Sequence, residues 1–184
     1  MKNIAILSIA GLAAAATAQS VTLHFDIDGD PLTGSDVDGS SASWTVFASF
    51  TGFPDADAYF GGFVGDWNAN GDGVASNLVN LMAGEGTTAA ANGASIGNLN
   101  IFNNALLGTD DNSNPLAIFS FDTSGTTSEL SYSAEGVANM FADGNIFGTP
   151  LDTQFVVISD RLVPAPGAAA VLGLGGLVAA RRRR

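Results

Sequence analysis

The sequence predicts a mainly β fold, an antiparallel β-sandwich or jelly roll of roughly seven to nine strands. Three observations carry that expectation. Apolar and polar residues alternate with a period of two in several short runs, those runs are separated by stretches rich in Gly, Asn, Asp and Ser, and helical periodicity is scarce. With 184 residues, 23 of them glycine, the chain has the size of a single domain able to bury a core.

In chain order, "VTLHFDID" (21–28) sets Val21, Leu23, Phe25 and Ile27 on one face and Thr22, His24, Asp26 and Asp28 on the other. That is a half-buried strand whose polar face, His24 included, meets solvent. "DGDPLTGSDVDGSS" reads as a turn-rich break. "SWTVFASF" aligns Trp44, Val46, Ala48 and Phe50 on one face of a second strand. "ASNLVNLMAGEG" follows a different rule: Val74, Leu78 and Leu81 fall at helical intervals and Gly84 is a stop, which predicts a short helix. Beyond the break "GTDDNSNP", the runs "PLAIFSFD" and "SELSYSAE" alternate again, and "AEGVANMFADG" reads as a second short helical turn. "TQFVVISD" is a continuous apolar run suited to a central or sandwich-core strand. The stretch "NPLAIFSFDTSGTTSELSYS" is similar in its alternation to strands of cohesin-like or carbohydrate-binding sandwiches. No internal repeat is present.

The two ends follow other rules. "MKNIAILSIAGLAAAATAQS" runs from a charged residue, Lys2, through an apolar stretch from Ile4 to Ala16, to the small-residue triplet Ala16-Thr17-Ala18. This is the order of a secretory signal peptide over residues 1–18, cleaved after Ala18. At the other end, Pro164 and Pro166 precede fourteen uncharged residues, Gly167 to Ala180, and then Arg181, Arg182, Arg183 and Arg184. As a helix those fourteen residues extend about 21 Å against a hydrocarbon core of about 30 Å, a short anchor that snorkelling arginines lengthen on the cytoplasmic side. Residues 19–162 form the domain between.

The charge distribution separates these parts. The chain has 18 acidic and six basic residues, net −12. All the acids lie between Asp26 and Asp160, whereas the bases are Lys2, Arg161 and the four terminal arginines. The middle domain therefore has one arginine and no lysine, a surface that repels nucleic acid and anionic lipid. Cysteine is absent, which excludes disulfides and thiolate metal sites.

The tail "VPAPGAAAVLGLGGLVAARRRR" resembles the PEP-CTERM sorting signal, also known as the ice-binding protein C-terminal motif, in a Pro-Ala-Pro variant with Ala165 in the middle. The resemblance covers residues 163–184 and rests on Val163, Pro164, Pro166, Gly167, the apolar run and the arginine cluster. It implies a bacterium with an outer membrane, signal peptidase and an exosortase-type transpeptidase as export partners, membrane attachment through the tail in transit, and delivery to the cell surface or an extracellular polysaccharide matrix.

Catalytic chemistry finds few parts here. "GASIG" (93–97) fits the G-x-S-x-G pattern around Ser95, but His24 is the only histidine and precedes the serine, the reverse of the order an α/β-hydrolase needs. No pair of carboxylates is singled out for glycosidase work. Two acidic patterns remain. In "DWNANGDGVASN", Asp66, Asn68, Asn70 and Asp72 occupy positions 1, 3, 5 and 7 of an EF-hand-like loop with Gly71 at the turn, a candidate calcium site in which Asn77 stands where a bidentate carboxylate belongs. Asp26, Asp28 and Asp30, with Asp36 and Asp38 beyond, form a second acidic cluster for which turn formation is the simpler account. The expected function is a non-enzymatic exported surface or matrix protein, with calcium as its one candidate cofactor. The alternative is a carbohydrate-binding module or glycan hydrolase using Trp67 or Tyr59 as a sugar platform, against which stands the usual burial of such rings in a core.

Overall fold

The computed structural model of the chain describes residues 20–52, 59–82, 90–102, 113–125, 128–141 and 154–165. The signal segment with Ala16 and Ala18, and the tail from Pro166 through Gly167 to Arg181, Arg182, Arg183 and Arg184, lie outside them. Among the described residues there are eleven strands: β1 (Ser20–Asp26), β2 (Asp36–Asp38), β3 (Ala42–Thr51), β4 (Tyr59–Asn70), β5 (Val74–Asn80), β6 (Ala90–Asn92), β7 (Ser95–Phe102), β8 (Leu116–Ser124), β9 (Ser131–Phe141), β10 (Gln154–Ser159) and β11 (Arg161–Val163). Three of these, β2, β6 and β11, are three-residue pieces.

They build a β-sandwich. One sheet has the order β10-β1-β3-β8-β5, the other β6-β7-β4-β9, and β11 pairs with β2 in a small ribbon of its own. Most pairs are antiparallel, as expected, but β1 with β10 and β2 with β11 run parallel. The core between the sheets is aromatic. Trp67 on β4 meets Phe25 of β1 at 4.5 Å and Phe119 of β8 at 5.0 Å, and Tyr132 on β9 meets Trp44 of β3 at 4.9 Å and Phe121 of β8 at 5.3 Å, several of them edge-on. Edge-on contact suits rings with negative faces and positive rims, and burial of such large side chains is the main stabilising term. Two of the buried polar tips are matched: Trp44 Nε1 donates to Thr123 Oγ1 at 2.7 Å and the Tyr132 hydroxyl donates to the Ala94 carbonyl at 3.2 Å, whereas Trp67 Nε1 is buried without a partner among the described residues.

Where they are described, both expected helices are strands; the stop at Gly84 and residues 142–144 lie outside the described residues. Val74–Asn80 pairs with β8, and the residues whose spacing suggested a helix do not form a buried stripe, since Val74 is 58% and Leu81 45% exposed. A bulge between Ser76 and Val79, with Asn77 at φ 51°, breaks the period-two pattern that would have identified the strand. The second segment lies in the eleven-residue β9, and its alternation continues past Glu135 through Ala138 and Met140, both buried. It was hidden because the position between them and Tyr132 is Gly136. That glycine faces Gly65 of β4, and a Cβ on either would stand 2.8 Å from the Phe63 ring and within 2.3 Å of backbone oxygen. The sheet requires both glycines for close approach rather than for conformation. "TQFVVISD" is likewise placed otherwise than expected: β10 lies at the edge of its sheet, not the centre.

Candidate functional site

Parallel pairing creates the most charged feature of the domain. β1 and β10 are in register from Ser20↔Gln154 to Phe25↔Ser159; β1 ends in Asp26, and Asp160 directly follows β10. The register sets these carboxylates side by side, and the turn after β1 adds Asp28. The three carboxylates offer oxygens within 4.8 Å of one another, a spacing able to hold a metal ion, with Asp26 and Asp160 buried and Asp28 exposed.

Hydrogen bonds knit this acidic pole. Asp160 accepts from the Ile27 amide at 2.8 Å through Oδ2 and from the Ser35 amide at 2.9 Å through Oδ1. Asp26 Oδ1 accepts from the amides of Asp28 at 3.1 Å and Gly29 at 2.8 Å, and Asp28 Oδ1 from that of Asp30 at 3.0 Å. The Ser35 hydroxyl lies 2.6 Å from Asp28 Oδ2 and 3.1 Å from Asp160 Oδ1, and its single proton serves one of them at a time. The turn 27–35 thereby folds back onto β10, where a Cβ on Gly34 would stand 2.9 Å from the Ser159 carbonyl and 3.3 Å from the Ile158 side chain.

That cover corrects the reading of His24. Ile158 is its register partner, so the turn lies over the face of β1 that was expected to meet water, and His24 is 4% exposed. Its Nε2 bonds Ser49 Oγ at 2.9 Å, while Nδ1 is buried without a partner among the described residues. Burial lowers the His24 pKa below its usual value, against the opposing pull of Asp160, Asp26 and Asp30, so the ring is neutral at pH 7. Burial also raises that of Asp26, partly offset by the amides of Gly29 and Asp28 and reinforced by the charge of Asp160. The Ser35 hydroxyl holds Asp28 below the ordinary range, and Arg161 does the same for Asp36.

The other candidate residues fall elsewhere. Asp66, Asn68 and Asn70 lie within β4, opposite Glu135, Ser133 and Ser131 of β9, and Asp72 follows in the turn to β5. Alternate residues on an extended strand stand about 6.6 Å apart, so this stretch does not wrap as the loop its spacing suggested. Asp66 Oδ1 instead accepts the Asn98 amide at 2.7 Å. Ser95 opens strand β7 and accepts the Ala69 amide at 3.0 Å, with no helix following. Trp67 is fully buried and cannot be a sugar platform, and the side chain of Tyr59 lies outside those described. Of the second acidic cluster, Asp36 and Asp38 belong to β2 rather than to the pole, and Asp36 accepts two bonds of 2.7 Å from the Arg161 guanidinium. Val163 ends β11, and Pro164 and Ala165 follow exposed.

A second feature lies on the outer face of the four-stranded sheet. Val64 and Val137 stand directly opposite each other on β4 and β9, 44% and 60% exposed, and Phe102 of β7, 40% exposed, projects from the same face. Beside them runs a shallow groove of about 460 Å³ lined by residues including Asp66, Asn98 and Asn100. Asp66 and Glu135 are cross-strand partners, two like charges opposite each other where opposite charges would stabilise the sheet.

Fold and surface together define an acidic β-sandwich with a hydrogen-bonded aspartate pole and, among the described residues, a group of exposed apolar side chains on the outer face of the four-stranded sheet. No protein-family model matches the chain, and no curated protein matches it. Solved structures with a similar chain course include a non-cellulosomal cohesin from the hyperthermophilic archaeon Archaeoglobus fulgidus, with 12% identity over 84% of this chain and 97% of that one and a TM-score of 0.49. The seventh ScaB type I cohesin of Pseudobacteroides cellulosolvens has 12% identity over 79% of this chain and 92% of that one, TM-score 0.47. The sixth cohesin of Acetivibrio cellulolyticus scaffoldin B, solved with a Cel5 dockerin mutant, has 12% identity over 81% of this chain and 100% of that one, TM-score 0.49. The likeness carries nothing about function.

Proposed function

We propose that the chain is an exported, non-enzymatic protein of the cell surface or extracellular matrix, sorted through its tail by an exosortase-type system, that works by holding a protein partner against the outer face of β7, β4 and β9. The observation that carries the binding role is the apolar patch Val64–Phe102–Val137 beside the pair Asp66 and Glu135, which no basic side chain neutralises among the described residues. Exposed apolar side chains grouped across three strands favour an apolar anchor, and a like-charge pair that weakens the sheet is relieved by a cation from outside. The partner so described presents Lys or Arg next to an apolar side chain. Burial of Trp67 removes one of the two rings that the sugar-binding alternative would use.

The test is retention of the mature protein on extracellular matrix from cells lacking it. Val64→Lys and Glu135→Lys should each weaken retention, and proteolysis of the matrix should abolish it. Retention lost only on glycosidase treatment transfers the role to a polysaccharide, and unchanged retention of both variants removes this face from the account.

A further inference from the structure

The sorting motif does not begin after the folded body; it begins inside it. Val163 is the last residue of β11, and its carbonyl accepts the Gly39 amide at 2.9 Å. Leu162 is buried and exchanges both backbone bonds with Leu130, at 2.8 and 2.9 Å. Arg161 grips Asp36 and, at 3.1 Å, Glu129. Only after Val163 do Pro164 and Ala165 emerge exposed. An enzyme that cuts a chain grips it as an extended segment unpaired from its own fold. Two exposed residues between the body and Pro166 leave little to grip on the N-terminal side.

We propose that β11 is a releasable latch whose detachment gates processing of the tail. This rests on the sorting reading given above. The latch is separable because β11 belongs to neither main sheet: it pairs with β2 in a two-stranded ribbon and is bridged through Leu162 to Leu130, the residue before β9. Short elements held by few contacts open sub-globally, ahead of the core. Cleavage of such an element follows the population of its open form.

Two measurements test the latch. In hydrogen exchange on the full chain, the amides of Gly39, Arg161 and Leu162 should exchange much faster than those of β3; equal protection would mean that β11 opens only with the whole domain, and the latch is lost. The second measurement is tail removal by pulse-chase in a host with an exosortase-type system. Arg161→Ala should speed removal by about two- to fivefold, the loosening expected from losing exposed ion pairs. The double variant Arg161→Cys/Asp36→Cys should retain its tail when oxidised, since register partners on adjacent strands lie within disulfide reach. Neither residue belongs to the motif, and the two single cysteine variants should be processed at least as fast as the natural chain. Normal processing of the oxidised double variant overturns the gate. A natural chain that never loses its tail overturns the sorting reading instead, which the exchange experiment separates from failure of the latch.

Discussion

Asp160 is 1% exposed and has no basic partner among the described residues, and its carboxylate holds the turn 27–35 by two backbone amides and a hydroxyl. Replacing it tests whether that carboxylate organises the pole or merely occupies it. In Asp160→Ala the amides of Ile27 and Ser35 lose acceptors at 2.8 and 2.9 Å. Each bond to a charged group contributes about 1.5–3 kcal/mol, and relief from a buried carboxylate beside Asp26 returns part of the sum. The expected loss is about 3–4 kcal/mol, equivalent to a fall of roughly 10 °C in melting temperature for a domain of this size. Asp160→Asn keeps one carbonyl acceptor and should lose about half as much.

Equilibrium urea unfolding at pH 7 followed by tryptophan fluorescence suits the measurement, because Trp44 and Trp67 are both buried and report the core. Asp30→Ala provides the contrast: this exposed carboxylate accepts the Leu32 amide at 3.2 Å and the Thr33 hydroxyl at 3.0 Å, on the surface of the same turn. It should cost under about 1 kcal/mol. If Asp160→Ala lies within about 0.5 kcal/mol of the natural protein, or no further from it than Asp30→Ala, the carboxylate does not hold the turn and the account of the pole is wrong.

Four further outcomes follow from the same geometry. His24 has a lowered folded pKa, so its contribution to stability is complete above the unfolded value near 6.5 and is lost as pH falls below it; the natural protein should be less stable at pH 5 than at pH 7, and His24→Gln should flatten that slope in urea melts at the two pH values. Asp26, raised by burial, works the other way, its penalty disappearing as acid protonates it, so Asp26→Asn, whose carbonyl oxygen can keep both amide bonds that Oδ1 accepts, should cost little or no stability at neutral pH. Gly136→Ala drives a methyl to 2.3 Å from the Val64 carbonyl and 2.8 Å from the Phe63 ring, and should cost about 1–3 kcal/mol by thermal melting, whereas Ser133→Ala on the exposed side of β9 should be close to neutral. Three carboxylates with oxygens within 4.8 Å make the pole the place where calcium would act, so chelation should lower the melting temperature of the natural protein and leave Asp28→Asn unmoved; equal curves with and without chelator would leave the pole as a hydrogen-bonded turn alone.

The sandwich was legible wherever inward positions carry large side chains. β1, β3 and β8 place Leu23, Phe25, Trp44, Val46, Phe119 and Phe121 in the core, and their alternation is plain in the sequence. β9 follows the same rule, but Gly136 and Ala138 are too small to register as an apolar face, and their smallness answers a neighbour, Phe63, that no local window contains. β5 was obscured by its bulge, which shifts the register between Ser76 and Val79. The pole was half visible. Asp26 and Asp28 stood out by spacing, whereas Asp160 lies 132 residues beyond Asp28 and joins them through parallel pairing, which alternation does not encode. A trace existed: "LHFD" and "VISD" are both apolar runs stopped by an aspartate.

Parallel pairing also decides how such a domain would stand on whatever holds it. β1 and β10 start together and end together, so the chain enters at the Ser20 end and leaves past Asp160 at the other. The pole end of β4 is identified by Gly71, whose Cβ would collide with the Glu129 carbonyl next to Leu130, the residue that pairs with Leu162 of β11. From Asn70 at that end to Val64 in the exposed patch the strand rises about 20 Å at 3.3–3.4 Å per residue. A domain tethered through β11 therefore carries Val64 and Val137 well clear of the attachment point, while the acids nearest the tether are already committed, Asp36 and Glu129 to Arg161 and Asp160 to backbone amides. Moving the tether tests this directly. Anchoring the chain through its Ser20 end, with the tail removed, should change how the patch is presented without changing the patch, and matrix retention that is indifferent to that change would mean that the face binds with no help from its orientation.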